Sequence, residues 1–542
     1  TAPWVREHQT MKIKLLATVA CTAAMALIGT SSAQAQKTLR IAMTAADIPT
    51  TTGMPNNGFE GMRFVGYTAF DALVLWDLTQ TESLPDIRPG LATAWKVDEA
   101  DKTKWVFTLR QGVKFHDGAP FNADAVAWNL SRFYDDKSPQ FEPNGSAITR
   151  ARVPLISKWE KVDDYTIAIY TKVPLSYFPF MTAQILIASP EAWEKAGKNW
   201  ADVAKAPAGT GPFKITKVNP RQSIQMEKNA DYWDKTRIPK VDRLMLVPMP
   251  EATTRLSALR SNQVDWIEVP PPDAIPSLKS AGYVVSTSRY PHIWPWVLKI
   301  TPDSPFADKR VRQAANFAVD RDALVTLLNG TAEPATGFWP KDTAFAGAPP
   351  LKYSYDPAKA KALLAEAGYG PDKPVKVRIQ ISTSGSGQML PIPMNEVIQR
   401  SMKAAGFEVE FDVVEWGQML VTFRQGPDNA TVQKLHGSNI SLVTWDHSMA
   451  FRWFHSRNVA PISSNWGQFK SPTVDALLDE IEVDFTGKNL APKLAKLNEM
   501  LVDEAPWLFI VHDLNPRAFS KKVEGYTPAQ SWFTDLTRVT LK

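Results

Sequence analysis

Residues 84–133 do most to limit what this chain can fold into, because they string a hairpin, a tight turn and a capped helix together in one order. Trp95-Lys96-Val97 and residues 105–110 alternate apolar and polar side chains on either side of a polar stretch, 98–104. A period of two interrupted by turn residues predicts paired antiparallel strands. Residues 111–115 extend the meander, and His116-Asp117-Gly118 supplies a second turn. Asn122 then stands where an N-cap belongs. The helix it opens is expected to bury Ala125, Val126 and Trp128, with Asp124 beside its positive end.

The rest of the chain repeats this mixture. Residues 37–43 read as a first strand, and the polar loop after it, 44–54, is punctuated by Pro49 and Gly53. Loops at strand ends commonly face ligands, which makes Thr44 and Asp47 candidate contacts. Residues 257–267 and 305–328 carry helical periodicity. Asp356-Pro357 opens a capped, alanine-rich helix that stops at Gly368, and 375–381 and 408–414 alternate as strands. Strands and helices interleaved in this way predict α/β lobes on mixed sheets. There is no internal repeat and no low-complexity linker.

Met11 to Lys14, an apolar run to Gly29 and then Ala33-Gln34-Ala35 have the charged, apolar and small-residue parts of an export signal, with cleavage expected before Gln36. An apolar run of about 15 residues is shorter than the roughly 20 that span a bilayer. Residues 1–10 are expected to be an upstream extension and 11–35 the signal peptide. Cys21, the one cysteine of the chain, lies inside that run. Removing Arg6, Lys12, Lys14 and Glu7 from 61 basic and 56 acidic residues leaves a balance of +3. That near-neutrality, without a basic cluster, argues against a nucleic-acid partner. A mature chain without cysteine has no disulfide, no thiol nucleophile and no thiolate metal ligand.

The wording of the opening stretch, PGLATAWKV followed by WVFTLRQGVKFHDGAPFNADAVAWNL, resembles the signature of the family 5 extracellular solute-binding proteins, the dipeptide, oligopeptide and nickel receptors of ABC importers. The resemblance recurs in order at Gly209-Thr210-Gly211-Pro212-Phe213, at 255–265, at 306–314 and at 355–369. It implies an α/β, two-lobed periplasmic binding protein fold (type II-like, cluster C) with an extra inserted domain. Lobe I is expected at 37–61, 186–287 and 509–542, the inserted domain at 62–185, and lobe II at 288–508. It further implies a periplasmic monomer that captures a small-molecule solute and delivers it to ABC permease subunits in the inner membrane.

A catalytic constellation is not found. Gly209-Thr210-Gly211 runs into Pro212-Phe213 with no later Gly-Lys-Ser/Thr, so it is neither a phosphate loop nor a dinucleotide fingerprint. Gly385-Ser386-Gly387 sits in a Ser/Thr/Gly run that reads as a solvated turn, not a nucleophile elbow. His447 and His455 are eight apart, and no His-Glu-x-x-His pattern exists. No catalytic residue, cofactor or metal ligand is assigned, and a secreted hydrolase is the weaker reading.

Recognition of a small solute asks for aromatic walls and a few placed polar groups, and the chain has 19 tryptophans. In an extended strand His292, Trp294 and Trp296 share one face. In relatives that face looks into the cleft; packing of the tryptophan pair in the hinge core is the alternative. Trp416 with Arg424, and Trp445 with Asp446, match cleft-lining stretches of peptide-binding relatives. There the second tryptophan is followed three residues on by an aspartate that pairs with the ligand's ammonium, and here that place is Ser448. An ammonium buried without a charged partner is costly. An ordinary peptide is therefore discounted unless Asp446 or Asp47 takes over the role. Arg424 and Arg452 are alternative partners for an anionic solute, or else surface arginines. A metal or metal-chelate receptor, with His292 or His447 as ligand, is the remaining alternative.

Overall fold

A computed structural model describes residues 36–289, 292–444 and 446–542. The expected extension 1–10 and signal 11–35 lie outside the described residues, as do Tyr290, Pro291 and Trp445. The fold is that of the compact unit Thr38–Lys542.

The first of two large sheets has seven strands. Its centre is Thr38–Met43, parallel to Arg243–Pro248 on one side and Trp266–Glu268 on the other. Leu39, Ile41, Ala42 and Met43 are all fully buried, as a parallel strand covered on both faces requires. Phe213–Asn219 and Ser223–Lys228 extend one edge, and Arg517–Phe519 and Val284–Ser286 the other. The second sheet runs Ala332–Pro334, Trp507–Asp513, His292–Leu298, Gly437–Asn439, Val375–Ser382, Phe407–Val414, with Leu442–Val443 also paired to His292–Leu298. Val375–Ser382 and Phe407–Val414 are parallel and joined by the helix Pro391–Ala404, a βαβ unit.

The meander builds a separate four-stranded antiparallel sheet from Ala92–Val97, Lys104–Leu109, Thr166–Thr171 and Ile156–Asp163. Trp95 pairs with Phe107 and Val97 with Trp105, as the alternation predicts. Asn122 caps Ala123–Tyr134 by accepting from the Ala125 N–H at 3.1 Å, and Ala125 and Val126 are buried. Trp128 is only partly buried, and packs edge-on to Trp193 with ring centroids 5.8 Å apart.

Three expected elements differ. Residues 111–115 add no strand beyond a bridge between Lys114 and Pro120, since Gly112 turns the chain at φ 75°. The helix expected at 257–267 runs instead over Ala252–Arg260, and Trp266–Glu268 is a strand. The stretch 305–328 is broken into Lys309–Phe317 and Arg321–Leu327, because Asp320 accepts from the Ala323 N–H at 2.9 Å and caps a fresh helix. The helix Pro357–Glu366, capped by Asp356, ends before Gly368 at φ 85°.

Membership of the sheets divides the chain. The first sheet takes strands from 38–43, 213–286 and 517–519, the second from 292–513. Trp507–Asp513 belongs to the second sheet, so the chain re-enters the first at Arg517, later than the expected 509. The two crossings lie side by side, with the Ser288 N–H donating to the Leu514 carbonyl at 3.1 Å.

Candidate functional site

Segments attached to the two large sheets and to the four-stranded one meet around one cavity. Phe59 comes from beside the first sheet and Trp532 from the C-terminal segment, while Ile148, Ala151 and Arg152 come from the helix Pro143–Arg152 that accompanies the meander. The far wall belongs to the second sheet and its helices: His292, Ser386, Trp416, Phe423, Arg424, residues 440–443, Arg452 and Trp453. The cavity has a volume of about 60 Å³. Direct bonds draw the walls together. The Ser463 and Ser464 hydroxyls donate to the Ala151 carbonyl at 3.0 and 3.2 Å, and the Glu60 N–H donates to Ser386 Oγ at 3.1 Å. The Ser176 N–H and the Tyr177 hydroxyl both donate to Glu482, at 2.8 and 2.9 Å.

Trp416 opens the helix Trp416–Gln425, whose N-cap Glu415 accepts from the N–H groups of Gly417 and Gln418. Gly385, at φ 132°, lies flat against that indole; a Cβ there would come within 2.4 Å of it. The Ser/Thr/Gly loop read as a solvated turn is thus packed into the site, with Ser386 only 3% exposed. Close approach of the loop to Trp416 is what requires its glycine.

Three guanidinium groups face the cavity, and among the described lining residues there is no Asp or Glu. Arg152 ends its helix, is 4% exposed and lies 4.8 Å from the Phe59 ring centroid. Arg424 sits in the last turn of Trp416–Gln425. Arg452, in the last turn of Ser448–Phe454, lies 4.4 Å from the Trp453 ring and donates from Nε to Ser464 Oγ at 2.9 Å. Nη1 of Arg152 and Nη1 of Arg452 are buried without a hydrogen-bond partner. Burial pushes Arg152 well below the usual range, with the charges of Arg452 and Arg424 adding to it. Burial lowers Arg424 to about 10, and burial with the Arg424 charge lowers Arg452 to about 9. All three keep their proton at neutral pH. Burial sets the direction in each, and like charge adds to it at Arg152 and Arg452.

Of the residues singled out from sequence, the structure brings His292, Trp416 and Arg424 together on the cavity, with Arg452. His292 is 1% exposed, and burial, then the nearby His512 and Arg63, push it down to about 3, so it is a neutral ring. Trp294 and Trp296 do not line the cavity. Both are fully buried, and their indole N–H groups donate to Gln388 Oε1 and Asn395 Oδ1, each at 2.8 Å. The pairing register shifts between them, with the extra residue on the partner strand, and both indoles are taken up by internal amides, which is the packed-core alternative. Thr44 is turned into the core, donating from its N–H and hydroxyl to Glu60 at 2.8 and 2.7 Å. Asp47 is exposed and accepts from the Ile48 N–H at 2.7 Å. Asp446 accepts from the Ser448 N–H at 2.7 Å where Ser448–Phe454 begins, so it lies at a helix start and not in a strand; neither residue lines the cavity. Trp445 lies outside the described residues. His447 packs edge-on to Tyr177 and Phe180, and burial lowers it to about 4.

Sequence reasoning missed Arg152, Phe59, Trp453 and Trp532. Arg152 shares its helix with Arg150, which reaches the Phe133 carbonyl and Asp136, and nothing local separates the two.

Two lobes joined by paired crossings around a lined cavity define a binding-protein fold. The family model for bacterial extracellular solute-binding proteins, family 5 Middle, matches residues 86–461, and the chain belongs to that family. It is similar to a di/tripeptide-binding protein of Pseudomonas aeruginosa, 27% identical over 95% of this chain and 97% of that one. Heme-binding protein A of Haemophilus influenzae is 30% identical over 81% of this chain and 82% of that one. A solved structure of the periplasmic binding protein DppA from Helicobacter pylori, in complex with a peptide, superposes with a TM-score of 0.81 at 24% identity, over 94% of this chain and all of that one. The chain is thus the solute-binding component of an ABC importer, a reading the relatives favour over a nickel receptor. Among the described residues no helix is long and apolar enough to cross a membrane.

Proposed function

We propose that the cavity is the solute site, that the solute is a small organic molecule bearing carboxylate, and that the chain carries out capture and delivery without turnover. The observation that carries this is the lining itself: aromatic walls and three guanidinium groups, contributed from both sides of the crossings. Guanidinium matches carboxylate in bidentate geometry. A solute touching both sides stabilises the closed arrangement because only there are all its contacts made, so differential affinity shifts the population. The proposal includes export through a cleaved segment 11–35, a monomeric state, and permease subunits that recognise the lobe surfaces. It takes lobe I as 37–61, 186–287 and the chain from Arg517, with 62–185 inserted and lobe II ending near Asp513. The peptides named for relatives are less well served here, since neither Asp446 nor Asp47 reaches the cavity to meet an ammonium.

Native mass spectrometry of protein purified from periplasm without refolding tests this. A retained small organic acid, lost in Trp416→Ala, is the expected result. A solute whose retention is indifferent to Trp416 would place the site elsewhere.

A further inference from the structure

We infer that the solute is a compact dianion with an apolar body and no free ammonium group, held by Arg152 on one side of the cavity and by Arg424 and Arg452 on the other. This deepens the proposed function and rests on it.

Three features carry the inference. First, the charges are unbalanced: Arg152, Arg424 and Arg452 line a cavity whose described lining contains no carboxylate. One acid group is met by one guanidinium, or by two, and still leaves a buried positive charge unmatched. Two acid groups bring the three guanidiniums from +3 to +1, against +2 for a single acid, and give every guanidinium a carboxylate to meet, which low-polarity surroundings favour. Second, donors are ready. Nη1 of Arg152 and Nη1 of Arg452 are buried without partners, and they sit on opposite walls joined by Ser464, which accepts from Arg452 Nε and donates to the Ala151 carbonyl. Helix ends hold all three guanidiniums where the carbonyl dipoles tolerate positive charge, so the groups are placed without a carboxylate to hold them. Third, the rest of the lining is apolar or aromatic, with Trp416, Phe423 and Leu420 along one wall and Ile148 and Phe59 across from them. Such walls suit an aromatic or short aliphatic skeleton, and the small enclosed volume calls for a compact one. An ammonium would meet three like charges.

Tryptophan fluorescence and thermal shift decide the matter with defined probes: the three benzenedicarboxylates and the straight-chain C4 to C8 dicarboxylates, each beside its monomethyl ester, and a set of di- and tripeptides. At least one diacid is expected to bind, its monoester about 100-fold more weakly, in keeping with loss of charge-assisted bonds to a buried guanidinium. Arg152→Gln and Arg452→Gln are each expected to abolish that binding and to raise the melting temperature of the ligand-free protein, because each removes an uncompensated buried charge. The melting shift is read without any ligand, so it stands if the variants bind nothing. Peptides bound in preference to every diacid, with Trp416→Ala weakening them, overturn the dianion and leave the cavity as the solute site. Binding of any probe that neither Trp416→Ala nor the arginine variants alter overturns the site itself. No diacid bound at 1 mM, or a melting temperature lowered in both arginine variants, overturns the inference.

Discussion

Two regions of this protein bury several guanidinium groups each and treat them in opposite ways. Beneath the first sheet Glu268 lies between Arg63 and Arg517, at 2.8 and 3.1 Å, with all three side chains at most 2% exposed. The Trp266 indole N–H adds a third bond to that carboxylate at 2.7 Å. Burial raises the pKa of Glu268, but the two arginines outweigh it and hold the carboxylate below its ordinary range. In the cavity Arg152, Arg424 and Arg452 have no such partner among the described residues. Arg321 shows that the missing partner need not be a carboxylate: it donates to the carbonyls of Ala335, Phe509, Asn316 and Val319. Buried charge that is matched internally belongs to the architecture. Buried charge matched by nothing inside belongs to whatever enters.

Acid gives the broadest test of that contrast. His116, His447 and His512 are each lowered to about 4 and His292 to about 3, in every case first by burial. Depressed histidines stabilise the fold above their ordinary value of about 6.5, and that stability is lost as pH falls toward 4 and then 3. Each contributes a slope of up to about 1.4 kcal/mol per pH unit. Asp513, raised to about 7 by burial, works the other way: its contribution is lost as pH rises toward 7. Denaturant melts between pH 7 and 4 should therefore show a steep acid loss, flattened in His292→Gln. A flat profile would mean that the histidines titrate as exposed ones.

Glu268→Ala comes next in size. It leaves two buried guanidiniums facing one another and is expected to cost about 3–5 kcal/mol in a urea melt. A loss below about 1 kcal/mol would erase the distinction between the matched and unmatched regions, since both would then tolerate naked charge. The arginine variants of the cavity are the mirror test, with stability rising as binding falls.

Trp294→Phe should have the smallest effect. It removes the bond to Gln388, whose Oε1 still accepts from the Ser441 N–H at 3.1 Å, and is expected to cost about 1 kcal/mol with affinity for any bound solute unchanged. A tenfold loss of affinity would return Trp294 to the site.

Local patterns in the sequence determined a good deal. The alternation at 95–97 and 105–110, the Asn122 and Asp356 caps, the βαβ strands and the family wording depend on side chains within a few residues of one another, and such short-range chemistry survives in any fold that contains it. The cavity was legible where an aromatic or arginine sat in a recognisable stretch, as at Trp416 and Arg424. The tertiary structure alone decided the rest. Buried amides of Gln388 and Asn395 took up the Trp294 and Trp296 indoles, a helix start took Asp446 away from the cleft, and Gly385 brought a polar loop against an indole. Arg152 entered the site some 270 residues before Arg424 in sequence, on the end of a helix whose local pattern gives no sign of it. Whether a buried charge is balanced depends on groups that meet only when distant segments pack, and no window of sequence contains them all.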